Sequence, residues 1–201
     1  MNSNLSAGEP FQNLIAIMEE RHSTRHFDER PVETIEIEAL HRAFRSAPQA
    51  GGDRATQCLF LTNHTQISNL ASRGSQAYEE LLQDFDSPLI REAMAEYGHN
   101  FFWFGTAPLL AMIIVRRPPA FLTAIAGGDV DLVWGRDQSA AMGVYAMLLA
   151  AEAMGLGGCC LSGPLMVRAV LEHELGLAPG DRLSLVAAFG RIVKSSPKKE
   201  D

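Results

Sequence analysis

Arg21-His22-Ser23-Thr24-Arg25 sets two guanidiniums, a hydroxyl and an imidazole within five residues, directly after a helix-like stretch. Guanidinium forks match the oxygens of phosphate, and a serine hydroxyl adds a short hydrogen bond, so the cluster suits an anion. A solvated basic helix end would use the same residue types. Four more stretches carry chemistry. Ala47-Pro48-Gln49-Ala50-Gly51-Gly52 is a turn whose glycines let a backbone approach a ligand. Tyr97-Gly98-His99-Asn100 runs into the aromatics Phe101, Phe102, Trp103 and Phe104. Gly155-Leu156-Gly157-Gly158-Cys159-Cys160-Leu161-Ser162-Gly163 follows a long apolar segment, and a tail carries Lys194, Lys198 and Lys199. Each of these has a plainer reading on its own: a turn, an apolar helix face, a helix cap before a core strand, and a solvated terminus.

The elements that must position these residues follow from periodicity. Phe11, Leu14, Ile15 and Met18 recur at helical spacing and predict a helix from about Pro10 to Glu20. Ile35, Leu40, Ala43 and Phe44 predict a second, ending near Pro48. Strands are expected at 58–62, 109–115, 159–161 and 183–189, and helices at 65–85, 88–104 and 165–176. Residues 118–136 show no period and read as a long loop. From Asp137 to Met154 the chain is apolar on nearly every face, which places that helix at the centre of a domain or at an interface. Interleaved helices and few strands predict an α+β fold, a central mixed or antiparallel sheet wrapped by helices, in one domain spanning 1–201 with its core at about 11–192.

Composition narrows the partners. Apolar residues make up 47 % and charged residues 20 %, enough for a real core. The net charge of −7 without a long basic patch argues against nucleic acid. No apolar run reaches the roughly 20 residues of a membrane span, and no signal peptide is visible at the polar N-terminus. Cys58, Cys159 and Cys160 make an odd count, which suits a reducing cytoplasmic setting, with the adjacent pair expected as small buried hydrophobes. A zinc site would need more spaced Cys and His than the chain offers.

The order of the motifs says more than any one of them. Arg-x-Ser-x-Arg near residue 20, Ala-Pro-x-Ala-Gly about 25 residues on, and a long apolar helix ending Gly-Leu-Gly-x-Cys together resemble the nitroreductase family of FMN-dependent flavoproteins, over about Phe11 to Ile192. The resemblance implies a homodimer with FMN at the interface, touched by both chains. It assigns Arg21, His22 and Ser23 to the FMN phosphate and Arg25 to the N1/O2 edge of the ring, where a fixed cation would stabilise reduced flavin. It places Pro48, Gln49 and Ala50 against the partner chain's flavin, Asn100 on the pyrimidine edge, and the Ser162 and Gly163 backbone by N5 and O4. Lys198 or Lys199 would add a phosphate contact. No protein acid or base is obligatory, so Arg25, Ser162 and Gly163 tune the flavin rather than catalyse.

The activity that this resemblance implies is ping-pong, NAD(P)H-driven two-electron reduction of electron-poor acceptors such as nitroaromatics or quinones. Two departures keep other activities open. The Asn-x-Gln-Pro-Trp that many members carry after Ala-Gly is replaced by Gly52-Asp53-Arg54-Ala55-Thr56, and a position near the ring that is often Lys is Trp103. The Ala-Gly-Gly form is similar to flavin dehydrogenases that oxidise peptide azolines, so a dehydrogenase or oxidase of a natural-product intermediate is an alternative. A non-catalytic flavin-binding homodimer is another.

Overall fold

The computed structural model describes residues 8–52, 55–125 and 134–193. Seven α-helices and four strands alternate along them: α1 (Glu9–Glu20), α2 (Thr34–Ser46), β1 (Thr56–Leu61), α3 (His64–Gln83), α4 (Pro88–Gly98), β2 (Leu109–Val115), α5 (Ala120–Ile125), α6 (Trp134–Ala153), β3 (Leu156–Leu161), α7 (Arg168–Glu174) and β4 (Arg182–Arg191). Short 3-10 turns at Trp103–Thr106 and Gly163–Val167 lead into β2 and α7. The strands form one sheet in the order β1-β2-β4-β3, antiparallel throughout.

β2 lies inside the sheet and every one of its residues is buried. That is why Leu109–Val115 reads as an unbroken apolar run rather than an alternation. Its side chains divide between two cores. Leu110 and Met112 pack with Ile67, Leu70 and Leu82 of α3 and Leu171 of α7. Leu109, Ala111 and Ile113 pack with Leu40 and Phe44 of α2 and Val144, Met147 and Ala151 of α6. Each such fully buried aliphatic side chain contributes about 1.5–3 kcal/mol. The α+β expectation, a sheet wrapped by helices, describes this three-layer arrangement.

Four element expectations need correction. The helix expected over 88–104 stops at Gly98, because the aromatics after it turn in three directions. Phe102 fills the space beside Gly74, Phe101 the space beside Gly163, and Phe104 is fully buried. β3 begins at Leu156, so Gly157 and Gly158 are strand residues and not a turn. The helix expected over 165–176 is a 3-10 turn followed by the seven residues of α7. The segment expected as a loop over 118–136 contains α5 and the start of α6, with 126–133 outside the described residues. Cys159 is buried as expected, but Cys160 is exposed, since adjacent strand residues face opposite sides.

α6 holds its place through its start and its middle. Asp137 in its first turn suits the positive end of the helix. Its carboxylate accepts hydrogen bonds from Arg182 (2.5 Å) and from Ser184 (2.5 Å) on β4. Ser184 is free to reach it because the pairing of β2 with β4 slips there: Ile113 faces Leu185 and Ile114 faces Leu183, leaving Ser184 as the extra residue of a bulge. Midway along, Gly143 lets α2 approach, since a methyl there would sit 2.5 Å from the Phe44 ring. Gly143→Ala should therefore lower the urea midpoint, because overpacking costs about 1–3 kcal/mol against roughly 1 kcal/mol gained in helix propensity. A raised midpoint would show that Phe44 yields freely.

Candidate functional site

Residues 21–25 leave α1 as extended chain and lie along β3. Arg21 has φ −61° and ψ 125°, Ser23 pairs with Gly158 in parallel sense, and the Thr24 amide donates to the Gly158 carbonyl at 3.1 Å. The contact is possible only because β3 carries glycines here. A methyl on Gly157 would fall 2.7 Å from the Thr24 side chain, and one on Gly158 would meet Leu148 and Phe189. Thr24 is thus driven inward and is buried. Extended backbone alternates its side chains, so Arg21, Ser23 and Arg25 share the opposite side. Cys159 reports the same grouping. Burial pushes its thiol up, while Arg25, a hydrogen bond with Ser23, and Arg21 each pull it down. His22 stands apart, with Nδ1 3.2 Å from the Glu20 carbonyl.

The Arg21 Nε is buried without a partner. A buried guanidinium nitrogen lacking an acceptor costs free energy, and an anion on this face would relieve it. From Gly158, β3 runs on for about 13 Å to Ser162. There Gly163 lies against Phe101, whose ring would be 2.3 Å from a Gly163 methyl. The glycine is thus explained by packing as well as by any ligand approach. Phe27 and Trp103, with ring centroids 6.0 Å apart, tie the segment after Arg25 to the aromatic run.

Asn100 is engaged elsewhere. His99 Nδ1 lies 2.6 Å from the Glu96 carbonyl, which can only accept, so Nδ1 carries the proton. The Nε2 then accepts from the Asn100 amide at 2.5 Å. Both residues line a cavity of about 460 Å³ with His64, Ser68, Ser72 and Trp103. The structure places Asn100 near Trp103 but gives its amide to His99, leaving the side-chain carbonyl for a ligand.

The Ala47–Gly52 loop lies beside β1, at the sheet edge opposite β3, clamped to the first turn of α6. The Ala50 amide donates to Ser139 Oγ at 2.8 Å, and that hydroxyl donates to the Gly135 carbonyl at 2.8 Å. Gly51 (φ 86°) packs on the Arg136 guanidinium. Gln49 turns inward: its Oε1 accepts from the Thr56 hydroxyl and its Nε2 is buried without a partner. Pro48 and Ala50 are exposed, with the Ala50 methyl lying over Gly135, where an added methyl would come within 3.0 Å of it. Sequence reasoning missed Arg136 and Ser139. The signal available was a basic residue in the first turn of a helix, where the dipole disfavours it. Lys198 and the rest of the lysine tail lie outside the described residues.

The loop sits beside β1 and the Arg21–Arg25 segment pairs with β3, so one copy of the chain keeps the two at opposite edges of the sheet.

The nitroreductase family model matches residues 18–191. The chain belongs to the nitroreductase family. The match begins before the Arg21–Arg25 segment and ends at the close of β4. Solved structures repeat the fold at low identity. A BluB-like flavoprotein from Clostridium difficile 630 superposes with a TM-score of 0.73 at 21 % identity, covering 94 % of each chain. A nitroreductase with bound FMN from Bacteroides fragilis gives 0.67 at 18 %, covering 94 % of this chain and 92 % of that one. An NADPH:FMN oxidoreductase from Vibrio harveyi, complexed with NAD+, gives 0.66 at 18 %, covering 94 % and 73 %. Among curated protein sequences no match is detected.

If the loop depends on its clamp as described, Ser139→Ala should free the Ala50 amide. Its hydrogen-exchange protection should fall, with a stability loss of about 1 kcal/mol. Unchanged exchange at Ala50 would mean that the loop is held by other contacts.

Proposed function

We propose that this nitroreductase-family protein is an FMN-dependent oxidoreductase, active as a homodimer, that takes electrons from NAD(P)H and reduces electron-poor acceptors such as nitroaromatics or quinones in a ping-pong cycle. The observation that carries the reading is the Arg21–Ser23–Arg25 face, with its unsatisfied Arg21 nitrogen, docked on a strand that leads to Ser162–Gly163. It fits an elongated ligand with a phosphate at one end and a ring at the other. The FMN-bound and NADPH-linked relatives of the same fold support it. Arg21 and Ser23 would hold the phosphate. Arg25, further along the same face, would place its charge at the N1/O2 edge, and the Ser162 and Gly163 backbone would meet N5 and O4. Asn100 would meet the pyrimidine edge through its free carbonyl. When bound, FMN supplies the two-electron redox chemistry, and the protein binds it, orients it and sets its potential.

Two features support a dimer. Pro48 and Ala50 can reach a flavin held by Arg21 only if a second copy supplies them, since the loop and Arg21 lie at opposite edges of the sheet. In addition, α1 has no buried residue, and it exposes Phe11 and Leu14 while α6 exposes Met142 and Tyr145. Apolar side chains on two helices that touch each other make a surface that a second copy would cover. Among the described residues no helix is long and apolar enough to cross a membrane, and the free cysteines agree with a reducing, cytoplasmic setting.

Purified protein should be yellow, or become so with added FMN, and NADH or NADPH should bleach it under anaerobic conditions. Bound flavin that neither nucleotide bleaches would contradict the reductase reading. Arg21→Ala should weaken FMN binding by about 1.5–3 kcal/mol, one charge-assisted contact, measured by flavin fluorescence titration. Stoichiometric FMN in that variant would remove Arg21 from the phosphate site. Arg25→Ala should retain FMN but lower its reduction potential, which an equilibrium dye titration would read; an unmoved potential would place Arg25 away from the ring.

A further inference from the structure

A cavity of about 620 Å³ lies between the end of α3 and the chain that enters α7. Glu80, Leu81 and Asp84 line it from one side, and Met166, Arg168 and Val170 from the other. Three of its lining residues are charged and all the rest are apolar. Arg168 spends its backbone amide on the Leu165 carbonyl. Its side chain has no hydrogen bond or ion pair among the described residues, and its Nε is buried without an acceptor. Such a donor costs free energy until an acceptor reaches it. The two carboxylates of the cavity do not supply one. Glu80 accepts from the neutral amide of Gln76 at 2.9 Å, and neither Glu80 nor Asp84 pairs with Arg168. Opposite charges on one cavity would close into a pair if its walls could move. Both walls belong to one packed core, in which Tyr78 and Leu82 of α3 meet Val167 and Leu171, so the charges are held apart.

We propose that this cavity binds a zwitterion with an apolar side chain, an α-amino acid or a short peptide. Arg168 takes the carboxylate, through the fork of Nε and a terminal nitrogen. Glu80 and Asp84 take the ammonium, and the apolar side chain lies on Leu81, Met166 and Val170. A plain carboxylate would meet repulsion from the two acids, and a plain amine from Arg168, so the lining selects a ligand that carries both charges. Met166, unbranched and 44 % exposed, can shift to admit the carboxylate. The volume lies in the range of about 300–1,000 Å³ usual for small-molecule sites. The site shares no residue with the Arg21–Arg25 face, and it does not depend on the flavin reading.

The test titrates the FMN-saturated protein by calorimetry with L-leucine and leucyl-leucine, and with analogues that each lack one feature: leucinamide the carboxylate, N-acetyl-leucine the ammonium, glycine the apolar side chain. Leucine or its dipeptide should bind saturably, and each analogue about tenfold or more weaker, the size expected of one charge-assisted contact. Tighter binding of leucine assigns the site to free amino acids, and tighter binding of leucyl-leucine to peptides. Arg168→Gln should bind leucine and leucinamide alike. The double variant Glu80→Gln/Asp84→Asn, which changes only exposed side chains, should bind leucine and N-acetyl-leucine alike. Absence of leucine and dipeptide binding to the wild-type protein overturns the proposal whether or not any variant folds. So does equal binding of leucine and leucinamide, or discrimination that survives in Arg168→Gln. If no FMN is taken up, the cofactor reading has failed separately, and the same titrations on the flavin-free protein still decide this site.

Discussion

The strand order of the sheet, with α6 packed across it, governs how this protein can build a site. The helix is buried along one side against the sheet and α2 and pinned at its start by Asp137. Its first turn clamps the Ala47–Gly52 loop, and its last turn passes into the strand that receives Arg21–Arg25. Neither segment can be moved toward the other without breaking a core that includes Val144, Met147 and Ala151. The two groups of residues are therefore fixed far apart in one copy. In the homodimer proposed above, a second copy would join them, and chain symmetry would give two equivalent composite sites.

Glycines set the other half of the arrangement, as absences of side chain more than as flexible points. Thr24 fills the space above Gly157, Phe44 the space above Gly143, Phe101 that above Gly163, and the Arg136 guanidinium that beneath Gly51. Only the last of these combines a close approach with a positive φ. The first three sit in ordinary conformations and are required by what packs on them. A basic segment can thus lie flat on a strand, and a helix can approach another closely enough to bury a phenylalanine between them.

Much of this was legible in the sequence. β2 was readable residue by residue, because burial on both faces leaves no polar interruption. The helices with one apolar stripe were readable to within a residue or two. What stayed hidden depends on partners distant in sequence. Gly157 and Gly158 look like a turn until Thr24 and Phe189 are seen in their side-chain spaces. The aromatics 101–104 continue a helical pattern until their three separate packing partners are known. The motif residues Arg21, Ser23 and Arg25 were identifiable by type and spacing, and their common side follows from alternation. The inward turn of Gln49 and the His99–Asn100 bond are tertiary facts with no local signature.

Every cation described at these sites is an arginine, since the three lysines of the chain all fall at 194–199. A guanidinium stays protonated at any pH a folded protein meets, whereas an amine does not. A grip of arginines, as proposed for Arg21 and Arg25, offers the planar fork of donors that an ammonium lacks. It is also untouched by acetylation, which would act on the lysines of the tail and leave the charge of the docked segment intact.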